Sequence, residues 1–383
     1  MPPAPDPLFT RRFLALWVFA FGVFFVAFQL LPVFPLRIAA LGGSKTLAGA
    51  YTTVYTLASA LSAPVMGTIA DRIGRKRMLI LATSLFIIFS LLYAAVKIVP
   101  LLLVIGVVHG SLWSAIMASA SAVMTDVIPP SRRTQGLAYW GLASTAAVAI
   151  APFVGIEVYH RFGWMVLCLE MATISAAMAL WATRVPAHVP QPHANAPSLS
   201  QAWDWSVTTT ALSFTTIAIG YGGVTSYVAM LALERRITPP SLFFSVFAVS
   251  IIIIRTSTSH FGDRYGVRTM LFPAFAIIPI ALIVLATSFT RVQLIAAAIL
   301  YGIGMGVAFP AFMSFLVSST DERNRARTFG SFVLAFDTGI GLGSLMLGAM
   351  AERRGFSFAF YVAAAISCLA IPIFSATSKR LLR

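Results

Sequence analysis

Charge is scarce in this sequence. Asp, Glu, Lys and Arg make up only 10% of the 383 residues while 59% are hydrophobic, which leaves too little polar material to cover a soluble globule of this size. Acidic residues are the fewest, 12 against 27 Lys and Arg, for a net charge of +15. The basic residues stand in short clusters between hydrophobic runs, not along one polar face. They read as topology signals and contacts to anionic lipid head groups, so no nucleic-acid partner is expected. Cysteine is nearly absent: Cys168 and Cys368 lie alone inside apolar runs, which excludes a disulfide framework and reads as two buried structural thiols. No metal-ligand spacing is present. A nucleotide-binding loop is missing too, which tells against direct ATP coupling, and no Ser/His/Asp or His/Asp grouping sits at a plausible depth for a membrane-embedded enzyme. The chain is therefore read as a non-enzyme that needs no cofactor beyond, at most, a proton gradient.

What the sequence has in abundance is long apolar runs. Each helical span needs about 20 apolar residues, and twelve candidates are found at 13–36, 47–70, 78–97, 101–125, 137–158, 164–184, 207–232, 241–261, 270–289, 293–317, 329–351 and 357–376. The first run has no small-residue cleavage site after a short apolar core, so it is expected to stay as a span. With the N-terminus inside, seventeen Lys and Arg fall on the cytoplasmic side and nine on the other, with Arg255 alone inside a span. This excess places both termini in the cytoplasm of a multi-pass plasma (inner) membrane protein. The stretch 185–206, with Pro186, Pro190, Pro192 and Pro197, reads as a solvated linker between domains 1–184 and 207–383. His188 and His193 within it lack acidic or cysteine companions and read as exposed histidines.

One charged turn organises the whole. Gly67-Thr-Ile-Ala-Asp71-Arg72-Ile-Gly74-Arg75-Lys76-Arg77 lies between two apolar runs as a tight cytoplasmic elbow, and its core recurs at Asp263-Arg264-Tyr-Gly266, 192 positions on (263 − 71). An offset of half the chain marks an internal duplication, in which two equivalent halves are expected to face one another across a site at the bilayer midplane. Gly67 and Gly74 allow close helix approach and a tight turn, while Arg72, Arg75 and Lys76 can reach acids such as Asp126 at the end of the fourth span.

The elbow resembles the cytoplasmic-loop signature of the major facilitator superfamily, G-x-x-x-D-R-x-G-R-[RK], at every fixed position, and with its second copy the resemblance spans both halves. The chain is most similar to the drug and metabolite efflux branch of twelve-span proton antiporters. The resemblance implies an all-α integral membrane protein with 12 transmembrane helices in two pseudo-symmetric six-helix bundles, working by alternating access. It also implies that Gly67, Asp71, Arg72, Gly74, Arg75, Asp126, Asp263 and Arg264 form a gating latch. Ala147-x-x-x-Ala151-Pro152-x-x-Gly155-Ile156 is similar to the family's exporter signature G-x-x-x-G-P-x-x-G-G, keeping the proline and one glycine. Where the family's fourth span carries R-x-x-Q-G, this chain has Gly106-Val-Val-His109-Gly110, and the missing arginine tells against a proton relay that depends on it.

The family's cavity-lining spans are one, four, seven and ten. Here they offer Gln29, His109, Trp113, Tyr221, Tyr227, Tyr301 and Phe309 as substrate contacts, with Gly220, Gly222 and Gly223 expected to let span seven unwind as a gate. So aromatic a set suits an amphipathic or hydrophobic solute better than a sugar. Intramembrane charges are functional candidates because each is costly in lipid. Arg255 and Asp337 lie at similar depth, about 12 and 15 Å from their cytoplasmic ends at 1.5 Å per residue, and are expected to pair unless Arg255 snorkels. Glu170, Asp337 and His109 are the candidates for carrying a coupled proton, with Glu157 too near the surface. A small-molecule substrate, the bilayer and a monomeric state complete the expectation; an importer, an exporter of one metabolite or lipid, and a non-transporting receptor or scaffold are the alternatives.

Overall fold

A computed structural model describes residues 7–185, 204–258, 266–320 and 325–381, and among these residues every regular element is a helix. The α-helices are α1 (Arg11–Ala40), α2 (Lys45–Ile73), α3 (Arg75–Ala95), α4 (Val99–Val127), α5 (Arg133–Ala182), α6 (Trp205–Glu234), α7 (Leu242–Thr258), α8 (Val267–Ala286), α9 (Arg291–Ser318), α10 (Arg325–Cys368) and α11 (Ala370–Leu381). A single 3-10 turn, Pro130–Arg132, precedes α5. Nine candidate spans among the described residues are long and apolar enough to cross a membrane. Two of them, Tyr139–Ala182 and Gly330–Ser378, run to 44 and 49 residues, about twice one crossing. Each contains one residue outside helical geometry, Gly163 (φ 85, ψ 175) and Gly355 (φ 82, ψ 168). The sequence pattern places a loop at 159–163, whereas the helix continues through His160-Arg161-Phe162 and breaks only at the glycine.

The backbone records the duplication. Gly163 and Gly355 are 192 positions apart (355 − 163), and so are Gly74 (φ 96) and Gly266 (φ 80), which precede α3 and α8. All four adopt positive φ, where a Cβ clashes, so each half turns twice at the same glycine. Other helix starts use side chains: Asp204 accepts from the backbone N–H groups of Ser206 and Val207, and Thr290 with Gln293 forms a capping box. Partial burial raises the Asp204 carboxyl, but hydrogen bonds from Ser206 and Val207 and the charge of Arg327 outweigh it and hold the group below its ordinary range.

By contact, the chain divides into two compact units: Met1–Leu30 with Leu61–Ala196, and Leu31–Ala60 with Pro197–Arg383. The last third of α1 and the first half of α2 thus pack with the C-terminal part of the chain. In the first unit, α1 runs antiparallel to 164–182: the Trp181 indole N–H donates to Ala15 O at 2.8 Å, and a Cβ on Gly22 would meet Met178 Sδ at 2.5 Å. In the second unit α6 runs parallel to α10. Thr215 donates to Ala335 O at 3.1 Å, and glycines on both helices bring backbone against backbone. Large apolar side chains such as Leu61, Val104, Leu180 and Val292 remain exposed, as an exterior facing lipid requires. Cys168 is buried as expected, but Cys368 is exposed, because it falls on the outward face beside Leu369.

Arg235, just past the end of α6, ties the second unit together. Its guanidinium donates to the carbonyls of Ser288, Leu285 and Ala286 and to the Ser357 hydroxyl, and lies over the Phe289 ring. Arg235→Ala orphans several carbonyls at once and is expected to cost about 2–4 kcal/mol, read as loss of thermal stability in detergent. Arg235→Lys should recover little, since an ammonium cannot span that set of acceptors.

Candidate functional site

The elbow has the geometry its charges predict. Arg75 Nε donates to Asp71 Oδ1 at 3.1 Å and its Nη1 to Asp126 Oδ2 at 3.1 Å, so one guanidinium joins the ends of α2, α3 and α4. Gly67 faces Ala118 of α4 with a Cβ position 3.9 Å from the alanine methyl, Gly74 makes the turn, and Arg72 is exposed. Asp263 and Arg264 of the second copy lie outside the described residues, as do His188 and His193. Asp71 and Asp126 are about 40% exposed, so solvent screens both pairs. Arg75→Ala is therefore expected to cost only about 1 kcal/mol by thermal unfolding, and Asp71→Asn less, because Asp126 still holds the arginine.

The expected cavity residues divide. Gln29 is fully buried, with its Nε2 donating to Glu170 Oε1 at 3.2 Å. His109 is buried against α3: Nδ1 is 3.0 Å from the Tyr93 hydroxyl, and its ring centroid is 4.2 Å from that of Phe86. Trp113 meets Phe24 edge-on at 4.9 Å. In the second unit Tyr301 packs on Phe247 and Phe243 (centroids 5.8 and 6.2 Å apart). Tyr221 and Phe309 both flank Phe336, and Phe309 and Phe336 remain half-buried within an aromatic cluster with Phe214, Phe312 and Phe332. Tyr227 is not a cavity group. Its hydroxyl donates to Ser344 O at 2.6 Å, with Lys45 O at 3.0 Å. The glycines of span seven serve close packing here: α6 is continuous through them, Gly222 abuts the Ile340 backbone, and a Cβ on Gly220 would meet Leu282 at 3.0 Å.

The predicted Arg255–Asp337 pair does not form. Asp337 Oδ2 instead accepts a hydrogen bond from Ser59 Oγ at 3.2 Å, and among the described residues the ion pairs are Lys45–Glu234, Arg75–Asp71, Arg75–Asp126 and Arg161–Glu157. Depth alone cannot pair two groups; their helices must also face each other, and α10 turns Asp337 towards α2. Ser59 ends a polar stripe on α2 at helical spacing, Thr52, Thr53, Thr56 and Ser59, all buried. Thr53 donates to Gly341 O at 2.7 Å, Thr52 Oγ1 lies 3.3 Å from Ser226 Oγ, and Ser226 Oγ lies 2.6 Å from Ser344 Oγ. Towards the start of α2, Thr46 bonds Glu352 and Lys45 Nζ lies 2.7 Å from Glu234. This seam joins α2 to α6 and α10 within the second unit. Its signal was present in the sequence as hydroxyls three and four apart in an apolar helix.

The model of the Major Facilitator Superfamily matches residues 13–255 and again 210–380. The staphylopine export protein of Staphylococcus aureus is 22% identical over 370 residues, covering 91% of this chain and 92% of that protein. The multi-drug resistance efflux pump PmrA of Streptococcus pneumoniae is 23% identical over 357 residues, covering 88% and 89%. A crystal structure of a POT family transporter in complex with 5-aminolevulinic acid superposes with a TM-score of 0.81 at 14% identity, covering 97% of each chain.

Proposed function

The chain belongs to the Major Facilitator Superfamily and is a transporter rather than an enzyme, and from that premise we propose that it exports amphipathic or hydrophobic small molecules in exchange for protons. It works by alternating access, as a monomer in the plasma (inner) membrane with both termini cytoplasmic. Counting each of the two glycine-broken helices as two spans and adding the short Leu242–Thr258 helix takes nine spans to twelve. The glycine pairs at 192-residue spacing support two equivalent halves, 1–184 and 207–383.

The observation that carries the proton reading is Asp337. Its carboxyl accepts a hydrogen bond from the Ser59 hydroxyl of a neighbouring helix, among the described residues no cation is paired to it, and it remains part-exposed. A carboxyl so placed is able to gain and lose a proton, whereas a bound arginine would hold it ionised. Export is supported by the similarity to an exporter and an efflux pump, and an amphipathic solute by the half-buried aromatic face of Phe309 and Phe336. Similarity to the staphylopine export protein favours one alternative, an exporter dedicated to a single metabolite. Inside-out vesicles carrying the protein separate the two: uptake of several unrelated lipophilic dyes on acidification of the lumen supports the broad reading, and uptake of none of them contradicts it.

A further inference from the structure

Gln29 and Glu170 present a second acid within an apolar helix, part-exposed as a residue, in the first unit and separate from the Asp337 site. Nε2 of Gln29 donates to Oε1 of Glu170 at 3.2 Å. The two remaining oxygens, Oε1 of Gln29 and Oε2 of Glu170, are both buried and neither has a hydrogen-bond partner. Gly155 of α5 backs the pair so closely that a Cβ there would stand 3.0 Å from Gln29 Cβ. An amide carbonyl and an ionised carboxylate are both acceptors, so with Glu170 ionised the cluster has one donor too few. A negative charge would also stand inside the membrane without a partner.

Among the described residues no ion pair reaches Glu170. On α1 the cations Arg11 and Arg12 stand at one end, beyond Ala15 and Trp181, and Arg37 stands eight residues past Gln29, about 12 Å along the helix. On α5, Glu157 pairs with Arg161 at 2.7 Å, and Tyr159 and His160 are the other ionisable groups of that turn. Cys168 is the neighbouring ionisable residue on the segment that carries Glu170. On α3, which meets this segment where Trp164 donates to Tyr93 O, the Tyr93 hydroxyl is bonded to His109. Among the described residues the one hydrogen-bond partner of Glu170 is Gln29.

We propose that Gln29 and Glu170 form a proton-binding site, in which Glu170 carries a proton on Oε2 and donates it to the Gln29 carbonyl, closing a two-bond acid–amide ring between α1 and the 164–182 segment. The proton comes from water, and one proton supplies the missing donor and removes the unpaired charge together. Gly155 is part of the site, because a larger residue would displace Gln29. The occupied site joins α1 to 164–182; its deprotonation sets a carboxylate against an amide oxygen and loosens that contact. The proposal stands whether or not transport is coupled to protons.

Infrared difference spectroscopy of the purified full chain in lipid at neutral pH reads the proton directly, without any transported solute. Glu170→Gln is expected to remove the C=O band of one protonated carboxylic acid per chain, a band that shifts in D2O and survives in Asp337→Asn. Gln29→Leu keeps the acid and is expected to move the band to the frequency of a carboxyl without that partner, so the test holds even where Glu170→Gln folds poorly. Loss of an ionised-carboxylate band in Glu170→Gln, or an acid band that Gln29→Leu leaves in place, overturns the proposal. Loss of proton-driven transport with this band intact would instead count against the export reading alone.

Discussion

Asp337→Asn is expected to abolish uphill transport while leaving solute exchange in place. If one proton is exchanged per neutral solute, a gradient of one pH unit supports about a tenfold concentration ratio, since one unit is about 1.4 kcal/mol. The variant should bring that ratio to about one. Asn keeps the shape of the side chain and can still hydrogen-bond Ser59 Oγ, which the acid now accepts from at 3.2 Å, so the fold and the polar seam on α2 should persist. Only the titrating group is lost. Ser59→Ala is the milder companion: it removes the one hydrogen bond to the carboxyl found among the described residues and should shift the pH dependence of transport without ending coupling. The measurement is solute accumulation in proteoliposomes with and without an imposed gradient, beside counterflow at equal pH. Asp337→Asn that retains uphill accumulation would remove this residue from the coupling mechanism.

Gly343→Leu is expected to leave little or no folded protein. Gly343 of α10 lies against the backbone of Ile219 on α6, with the Ile219 carbonyl oxygen where a Cβ would stand, and Gly222 makes the reciprocal contact with Ile340. Backbone cannot step aside as a side chain can. Even Gly343→Ala should cost about 3 kcal/mol or more, at the upper end of overpacking effects, because the helices must separate. Gly330→Ala on the same helix meets nothing within 4 Å and should be neutral or stabilising by up to about 1 kcal/mol, the helix preference of alanine over glycine. Monodispersity and thermal unfolding of the three variants test the contrast; equal stability of Gly343→Ala and Gly330→Ala would show that α6 and α10 do not meet so closely.

These two expectations mark where the sequence was readable. Gly74 and its copy Gly266 announced tight turns by type and spacing, and both adopt positive φ. Asp71, Arg75 and Asp126 announced an ion-paired elbow, and it forms within the first unit. The partner of Asp337 was not readable, because Ser59 stands 278 positions away and choosing it requires the rotation of two helices about their axes. Helices apolar on every side give no stripe from which to read that rotation. Gln29 and Glu170 were each singled out for chemistry, one for substrate and one for protons, and only packing reveals that they touch. The glycines of α6 were ambiguous for a related reason: a missing side chain permits either unwinding or close approach, and it takes the facing helix to decide. The hydroxyl stripe from Thr52 to Ser59 is the one clue that local reasoning had in hand and that would have located the seam.

The central claim is that the chain exchanges protons for an amphipathic solute, and the most direct test is simultaneous recording of both fluxes. Purified protein would be reconstituted into liposomes with a pH dye on one side and a fluorescent lipophilic solute as cargo. The account predicts that an imposed proton gradient drives the solute uphill, that adding solute at equal pH moves protons in the opposite direction, and that Asp337→Asn loses both while still exchanging solute. Downhill solute movement without proton movement in the unmodified chain would contradict it.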